Sequence, residues 1–195
     1  MENHTKEQRM SDPRPLVGEP VSLDLLNTRW IRDGEPQDLL ADVDGVRLWL
    51  AGTGLDDRFA ADAATRECLL TAREALAGAV GRPLDLDEAA VRRIDDVLGH
   101  GRIRATLTVQ GPGEEPEFAD PAWGPAWTAA RDYLELLRAA PDRIRGCAHD
   151  ACVLHFFDTS RNGTRRWCSM AQCGNRAKAS RHYARASAAR GTAGS

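Results

Sequence analysis

The chain has 195 residues, 42% of them apolar and 28% charged, with a formal net charge of −3. That suits one domain of moderate size plus a small module. It excludes a membrane-spanning or repetitive chain: no run approaches the roughly 18 apolar residues of a membrane helix, and neither an internal repeat nor a long low-complexity block is present.

Residues 1–15 are polar and contain Pro13 and Pro15, which predicts a disordered tail. The polar start holds no apolar signal core, so a cytoplasmic, reducing setting is expected. Leu16 to Trp30 is short and apolar. It predicts a short helix with Ser22 as its N-cap, followed by a turn at Asp33-Gly34-Glu35-Pro36. A helix is expected over 42–51, with Val43, Val46, Trp49 and Leu50 inward, then a longer one over 61–80. Cys68 in that helix reads as a small buried hydrophobe, because it has no close Cys or His partner for a metal. Asp87-Glu88 opens a further helix to Leu98, with Val91, Ile94 and Val97 inward.

Arg102 to Gln110 alternates strictly. Ile103, Ala105, Leu107 and Val109 share one face, which predicts a half-buried strand, with a weaker strand near Glu117-Phe118 pairing back. Trp123 to Ala139 is helical, and Pro141 closes it. The body over 16–140 is therefore expected to be mainly α with one β-hairpin. It offers no catalytic constellation, so the chain is not expected to be an enzyme. Asp24 and Asn27 are candidates for lining a ligand pocket, although Asx residues near a helix start are more often caps.

The residues over 141–188 carry the chemistry. Cys147 and Cys152 form one C-x4-C pair, and Cys168 and Cys173 form a second. Two short-spaced pairs separated by a hairpin-length gap bring four thiolates to the corners of a tetrahedron, the pattern of a structural Zn2+ site. A pair of disulfides is the competing reading and is disfavoured in a reducing compartment. Val153 to Phe157 suits a strand, Asn162-Gly163 a tip, and Thr164 to Trp167 a return strand. Arg176 to Ser187 lacks Pro and Gly and predicts a helix. The module is thus a treble-clef or ribbon-like four-cysteine zinc finger of β-hairpin plus helix, with a flexible tail over 189–195. A module this small needs a staple, and the body is expected to keep its own core beside it. His149 is a candidate substitute ligand or outer partner; His155 and His182 lie nearby.

Ten basic side chains against three acidic ones give residues 142–190 a charge of +7, leaving −10 for the remainder. An acidic body carrying a basic hook points to nucleic acid. At 100° per residue, Lys178, Arg181 and Arg185 fall on one helical stripe that is free to meet phosphates. Arg176 and Tyr183 fall opposite, where Arg176 is expected to pack towards the hairpin. Arg161, Arg165 and Arg166 flank the hairpin; of Arg165 and Arg166, one is expected to contact nucleic acid and the other to support the fold.

Cys147–Cys152, Phe156–Asn162, Arg165–Met170 and Cys173–Lys178 closely resemble the CGNR zinc finger, a family named after the four residues at 173–176. The match covers about residues 143–187. The resemblance implies a bacterial DNA-binding transcription regulator, with Asn175, Arg176, Trp167 and Tyr183 as structural finger residues. Such proteins usually carry an N-terminal ABATE-type domain of stress-induced regulators; residues 16–140 resemble it, with Ser22 to Thr28 matching its opening motif. The expected partners are double-stranded DNA and, through the body, a small-molecule effector or a second copy in a homodimer, with no membrane. The competing readings are an RNA-binding zinc module, using Phe156, Phe157 and Trp167 to stack on bases, and a protein–protein adaptor using the basic hook.

Overall fold

The computed structural model describes residues 12–178. The elements run α1 (Val21–Leu26), β1 (Arg29–Arg32), β2 (Glu35–Asp38), α2 (Val43–Thr53), α3 (Ala63–Val80), α4 (Glu88–Leu98), β3 (Gly101–Thr108), β4 (Gly111–Phe118), α5 (Gly124–Ala139), β5 (Ile144–Gly146) and β6 (His155–Phe157). The strands form three separate antiparallel hairpins: β1 with β2, β3 with β4, and β5 with β6. No helix among the described residues is long and apolar enough to cross a membrane.

Aspartate caps start the three longer helices of the first half. Asp42, Asp62 and Asp87 each accept a backbone N–H three residues on, at 2.9, 2.8 and 2.7 Å, satisfying donors that no helical carbonyl can reach. Gly54 ends α2 in the left-handed region at φ 69°. α3 is the central helix and packs against α1, α2, α4 and α5. Its apolar face, with Leu69, Ala72 and Leu76 fully buried, meets Leu23 and Leu25 of α1 and Ala126 and Tyr133 of α5 in one core. Cys68 lies in this core, and burial pushes its thiol up to about 11.

Several expectations need correction. Ser22 does not cap α1: Pro20 stands at the cap, and Ser22 is buried inside the helix, donating Oγ–H and N–H to Asp132 at 2.6 and 2.9 Å. The body holds two hairpins rather than one. Asp33 (φ 53°) and Gly34 (φ 88°) form the two-residue turn between β1 and β2, the Asp-Gly hairpin signal. Residues 12–15 do not behave as a tail. Arg14 is buried, bonding Asp12 at 2.7 Å and Asp24 at 2.6 Å.

Val91 is 48% exposed instead of inward. The alternating face of β3 is not half-buried either: Leu107 is 83% and the following Val109 99% exposed. The β3–β4 hairpin extends into solvent, packed at its base, where Phe118 stands edge-on to Trp127 and Phe59 at 5.5 and 5.8 Å, and joined to α5 by an ion pair between Glu114 and Arg131 at 3.6 Å.

The body and the cysteine-bearing segment do not have separate cores. Ile144, Leu154, Phe156, Cys168 and Cys173 belong to the same buried cluster as the helices.

Candidate metal centre

The first cysteine pair flanks the loop that joins β5 to β6. The Cys147 N–H bonds the Leu154 carbonyl at 2.9 Å and the Cys152 N–H bonds the His149 carbonyl at 2.8 Å, so the loop curls back on itself and turns both sulfurs to one side. The second pair sits on a widened helical turn, Met170–Gly174, in which the Gly174 N–H reaches the Ser169 carbonyl five residues back at 3.0 Å. Such a turn reorients side chains where a site requires it. Residues 175–178 continue as helix. One backbone bond, Ala148 N–H to the Arg166 carbonyl at 2.8 Å, ties the two halves together.

The four sulfurs all lie within 4.8 Å of one another. Cys152 and Cys168 are 3.8 Å apart, and Cys168 and Cys173 3.6 Å. Four sulfurs each about 2.3 Å from a central tetrahedral ion would stand about 3.8 Å apart, so the donor set fits a metal. The Cys168 N–H points at the Cys147 sulfur at 3.5 Å, stabilising thiolate charge. The proton chemistry agrees. Hydrogen bonding from Cys168 holds Cys152 down to about 5. Cys168 is held protonated by that same bond, and burial pushes Cys173 up to about 12. One thiolate forms readily and its neighbours resist; a cation at the centre reverses that resistance. His149 stands outside the set, its Nδ1 accepting the Ala151 N–H at 3.2 Å.

The expected return strand over 164–167 is absent, and the pairing is corrected: β6 pairs with β5, Ile144 opposite Phe157 and Gly146 opposite His155. The physical reason lies on the other edge of β6, which the body occupies. The Asn27 side-chain amide donates to the His155 carbonyl and accepts the His155 N–H, both at 2.8 Å. Glu19 accepts the Phe157 N–H at 2.9 Å. Together they serve as a third strand made of side chains, so residues 164–167 have no edge to join.

Asp24 and Asn27 are therefore engaged structurally. Asp24 is buried against Arg14 and accepts the Gly18 N–H at 2.9 Å; Asn27 clamps β6.

Asp158, fully buried, organises the loop after β6. It accepts the Ser160 and Arg165 N–H groups, both at 2.9 Å. Burial pushes its carboxyl up, but the bonds from Ser160 and Arg165 outweigh this and hold it below the ordinary 3.8. Arg143 donates to the Asp158 and Ser160 carbonyls at 2.9 and 2.6 Å. It also packs against Gly163, whose φ of +60° suits glycine.

The basic residues divide. Arg165 lies over the Phe156 ring at 4.2 Å, donates to the Trp167 and Cys168 carbonyls, and reaches Glu19 at 3.4 Å. Arg161, Arg166, Arg176 and Lys178 are exposed, with Arg166 lying 5.4 Å over the half-buried Trp167 ring. Asn175 is exposed too and reaches back to the Ala171 carbonyl. Exposure of Arg176 differs from its expected packing against the hairpin. Arg181 and Arg185 of the expected stripe, and Tyr183, expected opposite it, lie outside the described residues.

Glu19, Arg143 and Asp158 escape a reading of the sequence alone. The only signal for them is Asp158 before a Ser and Gly-rich turn, the pattern of an Asx turn.

Residues 19–140 match the ABATE family, described as a putative stress-induced transcription regulator. Residues 143–186 match the CGNR zinc finger. The chain belongs to the ABATE family and carries a CGNR zinc finger after it. No curated protein matches the chain.

Proposed function

We propose that this ABATE protein is a transcription regulator that binds double-stranded DNA sequence-specifically through its CGNR finger, with one Zn2+ held by Cys147, Cys152, Cys168 and Cys173. Four sulfur donors in tetrahedral spacing favour zinc among the common divalent ions. The observation that carries the reading is the disposition of charge on the finger. Arg161, Arg166, Arg176 and Lys178 are exposed on the loop and helix that the cysteines position, and no Asp or Glu follows Asp158 in the chain. A stretch of exposed cations without interspersed acids attracts phosphates and releases their counterions. The body is then the regulatory half, carrying an effector site or a pairing surface.

Binding to duplex DNA selected from random sequence, measured over several salt concentrations, tests this. Arg166→Ala and Lys178→Ala should each lower the salt slope by about one unit without changing metal content. Arg165→Ala should instead speed metal loss to a chelator, because its guanidinium holds the Cys168 carbonyl. A single-stranded RNA competitor that displaces the DNA completely would favour the RNA-binding reading. Zinc well below one equivalent in freshly reduced protein would overturn the metal assignment.

A further inference from the structure

The β3–β4 hairpin has two outer edges, and they differ. Its ladder runs unbroken from Gly101 opposite Phe118 to Thr108 opposite Gly111, and among the described residues no third strand lies beside it. Pro116 stands opposite Ile103 and Pro112 opposite Leu107. A proline cannot donate to a ladder, so in an unbroken one its nitrogen faces the outer edge. Antiparallel pairs alternate between those bonded to each other and those whose backbone groups face outward. The outer edge of β3 therefore presents the N–H and C=O groups of Ile103, Ala105 and Leu107. All three residues are exposed, Leu107 at 83%.

We propose that this edge of β3 is the pairing surface of a homodimer, in which two copies join β3 to β3, antiparallel about Ala105, in one four-stranded sheet.

An open row of backbone donors and acceptors is a template for another strand. Edges that stay single are usually guarded by prolines, bulges or charges. The outer edge of β4 has such guards at Pro112, Glu114 and Pro116, whereas the outward residues of β3 are all apolar. Residues 105–113 carry no charge in a chain that is 28% charged, so nothing on the outer half of the arm repels a second strand.

Register and charge make a second copy the fitting occupant. Pairing centred on Ala105 covers residues 102–108. It sets Ile103 opposite the second copy's Leu107, Arg102 opposite its Thr108 and Arg104 opposite its Thr106. Both arginines are already balanced within their own hairpin, by Glu117 and Glu115, each at 2.8 Å. Centring the pair on Ile103 or Arg104 would bring arginines directly opposite one another, which destabilises a sheet. Centring it on Thr106 would leave only 104–108 paired. Pairing about Ala105 is twofold, so every contact occurs twice.

One strand edge is a small interface, below the roughly 1,200 Å² of a standard one. The dimer therefore exchanges reversibly and dissociates on dilution, where the arm stands in solvent. It forms without DNA; only the consequence that the operator holds two half-sites rests on the DNA reading.

The experiment is sedimentation equilibrium on the full-length, metal-loaded chain without DNA, over a concentration series. A reversible monomer–dimer equilibrium is expected. Ala105→Pro removes an outward N–H without touching the inward ladder, as Pro112 and Pro116 do in β4. It should raise the dimer Kd by about tenfold or more. Leu107→Lys leaves the backbone as it is and should also raise the Kd, by placing a charge against the apolar Ile103. Glu114→Pro, facing outward on the other edge of the same arm, should leave the Kd unchanged. Circular dichroism should be alike in all three. A chain that stays monomeric up to about 0.5 mM overturns the proposal. So does a dimer that keeps its Kd in both Ala105→Pro and Leu107→Lys, or one that Glu114→Pro weakens as much as Ala105→Pro does. Any of these leaves the DNA reading standing, just as failure to bind DNA would leave the dimer standing.

Discussion

β3 and β4 pair over eight residues each, whereas β5 and β6 pair over three. The long hairpin is nonetheless the exposed one, with Leu107 and Val109 in solvent, while Phe156 of the short hairpin is fully buried. The long ladder has many backbone bonds and cross-strand ion pairs, Arg102 with Glu117 at 2.8 Å and Arg104 with Glu115 at 2.8 Å. Those pairs are exposed, where each is worth about 0–1 kcal/mol. The short hairpin has few ladder bonds, yet the body's Asn27 and Glu19 complete its edge and the cysteine cluster closes its loop. A two-stranded hairpin is marginal by itself. What stabilises each hairpin is therefore what it docks against, and the two should respond very differently to substitution.

Cys168→Ser should have the largest effect. Structural zinc in finger peptides contributes about 10–16 kcal/mol, so loss of one ligand should release the metal and unfold the β5–β6 region. Because Leu154 and Phe156 share the body's core, the helical signal should melt earlier as well, in one transition. A body that melts unchanged would show that the two regions are energetically separate despite their contact.

Phe156→Ala comes next. Removing a fully buried phenylalanine costs about 3–5 kcal/mol, whereas Leu107→Ala on the solvent arm should stay within about 0.5 kcal/mol. Urea midpoints of the two variants make the comparison directly, and similar shifts would break it.

Asn27→Ala should cost about 1–3 kcal/mol, since it leaves the His155 N–H and carbonyl without their partner. Hydrogen exchange at His155 and Phe157 should accelerate, while amides in β3 should not change. Asn27→Asp keeps the acceptor for the His155 N–H and loses the donor, so its effect should be intermediate.

The smallest effect is on acid stability. Asp158 lies below its ordinary 3.8, since its hydrogen bonds outweigh burial, and Glu117 lies below its ordinary 4.5, through Arg102 first and then Arg104. A carboxyl with a depressed folded-state value contributes stability that is complete above the unfolded value and lost as pH falls through the folded one. Both therefore steepen acid unfolding below about pH 4. Asp158→Asn should lower the melting temperature at pH 7 and flatten its fall towards pH 3. Glu117→Gln should move it by less than about 2 °C at either pH, because its partners face water.

Much of this was legible in the chain. The cysteine spacing marks the ligand set, since four thiolates at C-x4-C intervals have few other uses. The helices starting near Asp42 and Asp87 and the helix over 61–80 follow from local chemistry and periodicity. The strand at Arg102 was legible as a strand, but its burial was not. Alternation reports which side chains share a face, and nothing in it says whether another element lies opposite. The same limit applies to Val91 on α4. Among the cations, the adjacent Arg165 and Arg166 look equivalent in sequence; only the placement of Phe156 and Glu19 draws one inward.

The sequence by itself determined the local chemistry: which segments coil, where aspartates cap them, which four sulfurs can meet a metal, and where positive charge collects. Each of these depends on residues a few positions apart. Tertiary structure decided what depends on distant residues. Asn27 and Glu19 take the edge of β6 from more than a hundred residues away. Arg14 is drawn inward by Asp24. The reason is physical: an exposed strand edge or a buried charge has to be satisfied by some partner, and folding, not spacing, decides which partner arrives.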